Sequence, residues 1–367
     1  MEVLEVKNKR DLSEFINLPY SLYKKDRYFV PPLRKEIKEN LSSKNPFFKN
    51  ADVRYFIARD MGKTAGRIAS VINHRHLEFH KDNAGFFGFF DSINDPGVSH
   101  SLLDRVQMEL KDNGLGIMRG PMNFSTNEEC GFLIEGFDEH PMLMTPYNPP
   151  YYNDLMERYD MQKAKDLYAF IYEVKDKLPE KVLRVAVIAE KRGLRVRPVD
   201  KKRFGDEMRV FKEVYNSAWQ KNWGFIPLTD DELNYLGARL KQIARPELTL
   251  IAEDNGTPVG FMGLLPDYNY VMKHMNGRLN PLSVSKAIYY SGRIKDLRLL
   301  LLGIKKEYRN RGVDALLLRE GFSGIKKGGY KRVEFSWILE DNIPVQRIIE
   351  MVGGRLYKRY RIYEKEI

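Results

Sequence analysis

The segment 297–318 constrains the fold most. A largely apolar stretch, 297–304, passes into the basic run Lys305-Lys306-Glu307-Tyr308-Arg309-Asn310-Arg311-Gly312, and then into Val313-Asp314-Ala315-Leu316-Leu317-Leu318. This order reads as a buried strand, a short loop and a helix, so the chain must contain an α/β layer. A loop that opens a helix presents successive backbone N–H groups and the positive end of the helix dipole to an anion. Gly312 would let a diphosphate approach the backbone closely, and Arg309 and Arg311 add charge beside it.

The rest of the chain alternates strand and helix patterns twice. In the first half, Met1-Glu2-Val3-Leu4-Glu5-Val6 alternates like a strand, and Asp11 or Ser13 can cap a helix through Phe15 and Leu18. The segments 53–59 and 66–72 flank a turn at Asp60-Met61-Gly62-Lys63 and read as a hairpin. A strand at 85–90, a helical stripe at Leu102, Leu103, Val106 and Leu110, and a strand at 114–120 follow. Residues 121–150 are irregular, and 167–173 closes this half as a strand. A helix over 176–193, with Leu183, Val187 and Ile188 on its apolar side, marks a junction near residue 175. The second half repeats the order: strand 194–199, helix 204–219, hairpin 248–253 and 259–265, strand 297–304, helix 314–326, strand 332–338, helix 344–351 and strand 355–363. A chain of 367 residues suits two cores, 1–175 and 176–367, each of a mixed α/β class with a partly antiparallel sheet.

Charge separates the halves. Residues 1–175 carry 24 Lys and Arg against 26 Asp and Glu; residues 176–367 carry 37 against 24. Only the second half is strongly basic, as expected if it alone meets an anion: a nucleotide cofactor, an RNA or an acidic lipid surface. The single cysteine, Cys130, excludes an internal disulfide. The opening residues lack the basic flank and apolar core of a signal peptide, and no stretch is apolar enough to span a bilayer. A cytoplasmic protein is expected, with attachment to the inner face of a membrane left open.

The segment 302–318 resembles the acyl-CoA loop of the GNAT acyltransferase superfamily, in which a strand leads to Arg/Gln-x-x-Gly-x-Gly/Ala at a helix start. Arg309 and Gly312 match; Asp314 stands where the family has a small residue. The resemblance implies that Leu302, Gly303 and Ile304 give backbone groups to pantetheine. It also implies that Arg309, Asn310, Arg311, Gly312, Val313 and Asp314 cradle the diphosphate of acetyl-CoA or a longer acyl-CoA. Asn342, after the next strand, takes the place of the family's asparagine beside the pantetheine arm. Seven residues on, where many relatives carry a tyrosine that protonates the leaving thiolate, this chain has Ile349; Tyr357, Tyr360 and Tyr363 lie nearby in sequence. The first half is similar in order but has no such loop between Asp91 and Val98, with Asn148 in the place of Asn342. Two tandem GNAT-like domains are implied, the first degenerate and without CoA.

Elsewhere, His74, His76 and His80 lack the Asp, Glu or Cys partners of a metal site, and read as a solvated loop. Cys130 has no patterned His or Asn partner. Trp219, Trp223 and Phe225 read as core or as a cleft wall. The insert 267–298 interleaves Tyr268, Tyr270, Met272, Met275, Leu282, Ile288, Tyr289 and Tyr290 with Lys273, Arg278, Lys286, Arg293, Lys295 and Arg298. That mixture suits an acyl chain or a membrane surface, the phosphates of RNA, or a helix over the domain junction with its charges in water. The chain is expected to be an acyl-CoA-dependent N-acyltransferase acting on a small or lipid-like amine in an interdomain cleft. A Fem-type aminoacyl transferase using charged tRNA, and a non-catalytic ligand- or membrane-binding protein, are the alternatives.

Overall fold

A computed structural model describes residues 1–367. The chain forms two compact units: residues 1–167 with 269–290 and 358–367, and residues 168–268 with 291–357.

The first repeat of the chain runs β1 (Glu2–Glu5), α1 (Lys9–Leu22), α2 (Arg34–Asn40), β2 (Ala51–Asp60), β3 (Lys63–Asn73), α3 (His74–His80), β4 (Ala84–Ser92), α4 (Pro96–Asp112), β5 (Ile117–Gly120), β6 (Phe132–Glu135), α5 (Tyr151–Arg158) and β7 (Gln162–Glu173). The second runs α6 (Glu180–Lys191), β8 (Leu194–Pro198), α7 (Phe204–Trp219), α8 (Asp230–Lys241), β9 (Thr249–Asp254), β10 (Thr257–Pro266), α9 (Asn269–Met275), α10 (Pro281–Ser291), β11 (Asp296–Ile304), α11 (Val313–Lys327), β12 (Arg332–Leu339), α12 (Ile343–Val352) and β13 (Arg355–Glu366).

The repeats share one topology. β1, β2, β3 and β4 pair antiparallel in succession, and β4 then pairs parallel with β5. β8, β9, β10 and β11 do the same, and β11 pairs parallel with β12. Each repeat's final strand serves the other unit's set. The residues of β13 from Lys358 onward pair with β5 and β6 in the first unit, and β7 lies next to β12.

Local chemistry explains several boundaries. Asn8, rather than Asp11 or Ser13, caps α1, its side chain accepting from the N–H groups of Arg10 and Asp11. The irregular region 121–150 holds the short strand β6, which pairs with β13, a partner distant in sequence. α8 begins at a capping box in which Thr229 and Glu232 satisfy each other's backbone N–H groups. The expected face of α6 holds only in part: Leu183 packs against the core, but Val187 and Ile188 are exposed, and the helix buries Val182, Ala186 and Ala189. Small side chains win this contest because they allow α6 to lie close against α11, with Val185 and Ala189 touching Gly312.

Period-two alternation gives the sheet of the second unit two faces. Leu250, Ala252, Met262, Leu264, Leu297, Leu299, Val333 and Phe335 join α6 and α11 in one core, and Ile251 and Phe261 join α7 in another.

Candidate functional site

β11 has a partner along its whole length on one side and along only half of it on the other. From Asp296 to Leu299 it pairs with Arg332 to Phe335 of β12, while its pairing with β10 continues to Ile304. A register shift between Gly263 and Leu264 leaves Leu300 as an extra residue, a bulge at the point where β12 departs. Lys305 N donates to Val259 O at 2.9 Å on the β10 side. Backbone groups alternate in direction along a strand, so Leu302 and Ile304 turn theirs toward the side that β12 has left. The result is a slot walled by strand edges, with peptide donors and acceptors on the β11 wall.

At the end of β11 the chain turns through the basic loop into α11. Arg309 donates to Ala218 O at 2.9 Å and ties the loop to α7. Arg311 is exposed and lies 5.0 Å from the centroid of the Tyr308 ring, and Tyr308 donates to Asp254 at 3.1 Å. Asn310 and Gly312 both have positive φ, +61° and +82°. Gly312 is the N-cap of α11, and no side chain caps this helix start. The first-turn N–H groups at 313–315 are therefore left for another acceptor, with exposed Arg309 and Arg311 close in the chain. Asp314, half-buried, sits in that turn, where a carboxylate is also favoured by the helix dipole. Gly312 has a second reason to be glycine: a Cβ there would lie 2.9 Å from Val185 Cγ1 and 3.1 Å from Ala189 Cβ.

Beside the slot, on the sheet face away from α11, lies a polar cluster that the sequence did not reveal. Arg298 and Glu334 are register partners, 1% and 0% exposed, and their charged groups are 3.7 Å apart. Arg298 Nε donates to Ser336 Oγ at 2.8 Å, Ser336 Oγ donates to Glu334, and the hydroxyl of half-buried Tyr357 donates to the other oxygen of Glu334. Buried charges are tolerated only when paired and hydrogen-bonded, and this set satisfies that rule. Trp219, at the end of α7, covers Gly303, where a Cβ would fall 2.1 Å from the indole. Asn342 begins α12, but its side chain caps no N–H of that helix; Gln346 closes the turn instead, donating to Leu339 O and Glu340 O. Ile349 is buried in the core, so no proton donor stands at that position.

Comparison with known proteins agrees with this geometry. Residues 208–353, which include the slot and the loop, match the Acetyltransferase (GNAT) family. The chain is 35% identical to Protein YghO of Escherichia coli, over 98% of this chain and 94% of that protein. It is 33% identical to a bacterial ceramide synthase of Caulobacter vibrioides, over 100% of this chain and 98% of that protein. Among solved structures, a tandem GNAT protein from the clavulanic acid biosynthesis pathway superposes over 100% of this chain and 98% of its own, with a TM-score of 0.60 at 12% identity. The chain belongs to the GNAT acyltransferase family.

The first GNAT repeat has the same elements in a closed form. β4 pairs with β5 only from Ala84 to Phe86, so a slot could open here too. The chain fills it with itself: Met122 N donates to Phe87 O at 2.7 Å, and Asn123 Oδ1 accepts from Phe89 N at 2.7 Å. The helix that follows, α4, is capped by Asp95, whose carboxylate accepts from Gly97 N and Val98 N. The place where α11 has spare donors is thus occupied by a fixed negative charge. Asn148, the counterpart of Asn342, is 2% exposed and spends its amide on Leu133 and Pro149.

The histidines and Cys130 lie away from the slot and the loop in sequence. His74, His76 and His80 lie on the helix α3 rather than in a solvated loop. His76 is buried against Asp82 at 2.9 Å, and desolvation pulls its pKa down to about 4. No group of three His, Cys, Asp or Glu side chains is placed to hold a metal ion. Cys130 is buried and bridges Met122. No helix is long and apolar enough to cross a membrane.

Proposed function

We propose that this protein transfers an acyl group from acyl-CoA to the amine of a lipid-like acceptor. The observation that carries the reading is the contrast between the repeats: an open slot leading to an uncapped helix start in the second, a filled slot and an Asp-capped helix in the first. In this reading α11 and Arg311 receive the diphosphate, Asn310, Gly312, Val313 and Asp314 shape the turn, and Arg309 fixes the loop to α7. The peptide groups of Leu302 and Ile304 hold the pantetheine arm as an added strand, with Gly303 held under Trp219, and Asn342 faces the arm. Five residues lie between Arg298 and Ile304, about 20 Å of strand for the arm to run along. The thioester then comes to rest beside Glu334 and Tyr357.

The amine nitrogen attacks the thioester carbonyl, the C–N bond forms, the C–S bond breaks, and the net change moves one proton from the amine to the departing thiolate. Orientation supplies much of the acceleration. Tyr357, half-buried and bonded to Glu334, is the group assigned to that proton, in place of the tyrosine that Ile349 displaces. A long acyl chain and a lipid-like amine are favoured because a relative similar along the whole chain is named a ceramide synthase, and ceramide is the fatty amide of a long-chain amine.

Calorimetric titration with CoA, acetyl-CoA and palmitoyl-CoA tests the donor. Binding should be micromolar, and about tenfold weaker or more after Arg311→Ala, as expected for loss of a charge-assisted hydrogen bond. Tyr357→Phe should lower kcat by on the order of a hundredfold, move the alkaline limb of the pH profile, and leave acyl-CoA affinity in place. Failure to bind CoA or either thioester, or binding of charged tRNA in their place, would overturn the reading.

A further inference from the structure

We propose that α10 is a docking face for an anionic lipid surface. Its polarity is inverted. Leu282, Ile288 and Tyr289 are 67%, 73% and 55% exposed, and Leu279, just ahead of the helix, is 54% exposed. The residue turned inward is Ser283, 4% exposed, with its hydroxyl accepting from Asn280 N and its N–H donating to Asn280 Oδ1. A helix that buries serine and offers leucine, isoleucine and tyrosine to water carries several exposed apolar side chains on one segment, which marks an interaction surface.

α10 is stacked on α9, which is in turn tied to the rest of its unit. The His274 ring stacks on Tyr290 at 3.6 Å and 5°, Asn269 donates to Pro141 O at 2.9 Å, and Lys273 is held by Arg27 O and His140.

Charge identifies the partner. Residues 269–290 contain no Asp or Glu and three cations, Lys273, Arg278 and Lys286, and the stretch stays free of carboxylates up to Lys295. Arg278 and Lys286 are exposed beside the apolar residues. Leucine and isoleucine with flanking cations and a tyrosine match a helix lying in the headgroup region of an anionic bilayer. A two-fold pairing of α10 with its copy would bring Arg278 and Lys286 together with no carboxylate on the helix itself, which disfavours a dimer on this face. The proposal is independent of the acyl-transfer reading, because docking needs no acyl-CoA.

Co-sedimentation without acyl-CoA, using phosphatidylcholine vesicles with and without phosphatidylglycerol, tests it. The protein is expected to bind the anionic vesicles in a salt-sensitive way and to leave the neutral ones. Leu282→Glu with Ile288→Glu, both at exposed positions, should weaken binding by about tenfold or more with an unchanged melting temperature. Lys286→Glu should weaken it by a smaller factor. No binding to anionic vesicles overturns the proposal. So does undiminished binding by the double variant, or a double variant whose only effect is to dissolve a dimer.

Discussion

Gly312 answers two demands of different origin, and that limits what its mutation can report. Its positive φ and the close approach of Val185 and Ala189 require glycine whether or not a diphosphate ever arrives. Any side chain there tests packing first, which is why Arg311 is the better probe. His76 offers a prediction at the same scale. Its pKa falls from 6.5 to about 4 on burial, so the unfolded chain binds the proton more readily than the folded one. The stabilisation is present above pH 6.5 and is lost as the pH falls toward about 4, a change of roughly 3 kcal/mol at most. His76→Gln should flatten the urea midpoint over that range; an unchanged slope would show that His76 is not the titrating group. The basic loop was readable in sequence because strand, arginines, glycine and helix are contiguous. Arg298 and Glu334 were not, because their pairing is set by the register of two parallel strands, 36 positions apart.

At the scale of elements, α4 and α11 are the same helix in two electrostatic states. Asp95 closes the first; Gly312 leaves the second open. Asp95→Ala should cost about 1 kcal/mol of stability, the usual penalty for a lost N-cap, and leave acyl-CoA affinity unchanged, as judged by thermal melting and titration together. A gain of acyl-CoA binding by the first repeat would contradict the finding that Met122 and Asn123 also fill its slot. Most strands and helices were visible from periodicity, since each needs only its own residues. The face of α6 was legible only at Leu183: Val187 and Ile188 look as apolar in sequence as the positions that are buried, and the close approach of Val185 and Ala189 to Gly312 is a tertiary contact. The parting of β11 from β12 was also hidden: a strand reads the same in sequence whether its neighbour stays or leaves.

At the scale of the molecule, two topologically equal repeats were legible from the order of elements, whereas the membership of distant segments was not. Tyr360, Ile362 and Tyr363 are fully buried or nearly so, and Arg361 forms a two-pronged ion pair with Asp166. The first unit therefore owns residues that a cut near 175 assigns to the second half. Deleting residues 358–367 should lower the stability of the first unit by several kcal/mol, since three large core side chains and a strand are lost together. Hydrogen exchange should show β5 and β6 losing protection while β9 and β10 keep theirs; full protection of β5 would refute the assignment. The same arrangement sets an order in time. A ribosome making this chain finishes every strand of the second unit before it supplies the stretch that completes the first. The half synthesised earliest is thus completed last, and its unpaired β5 edge must wait in the cell for the end of translation.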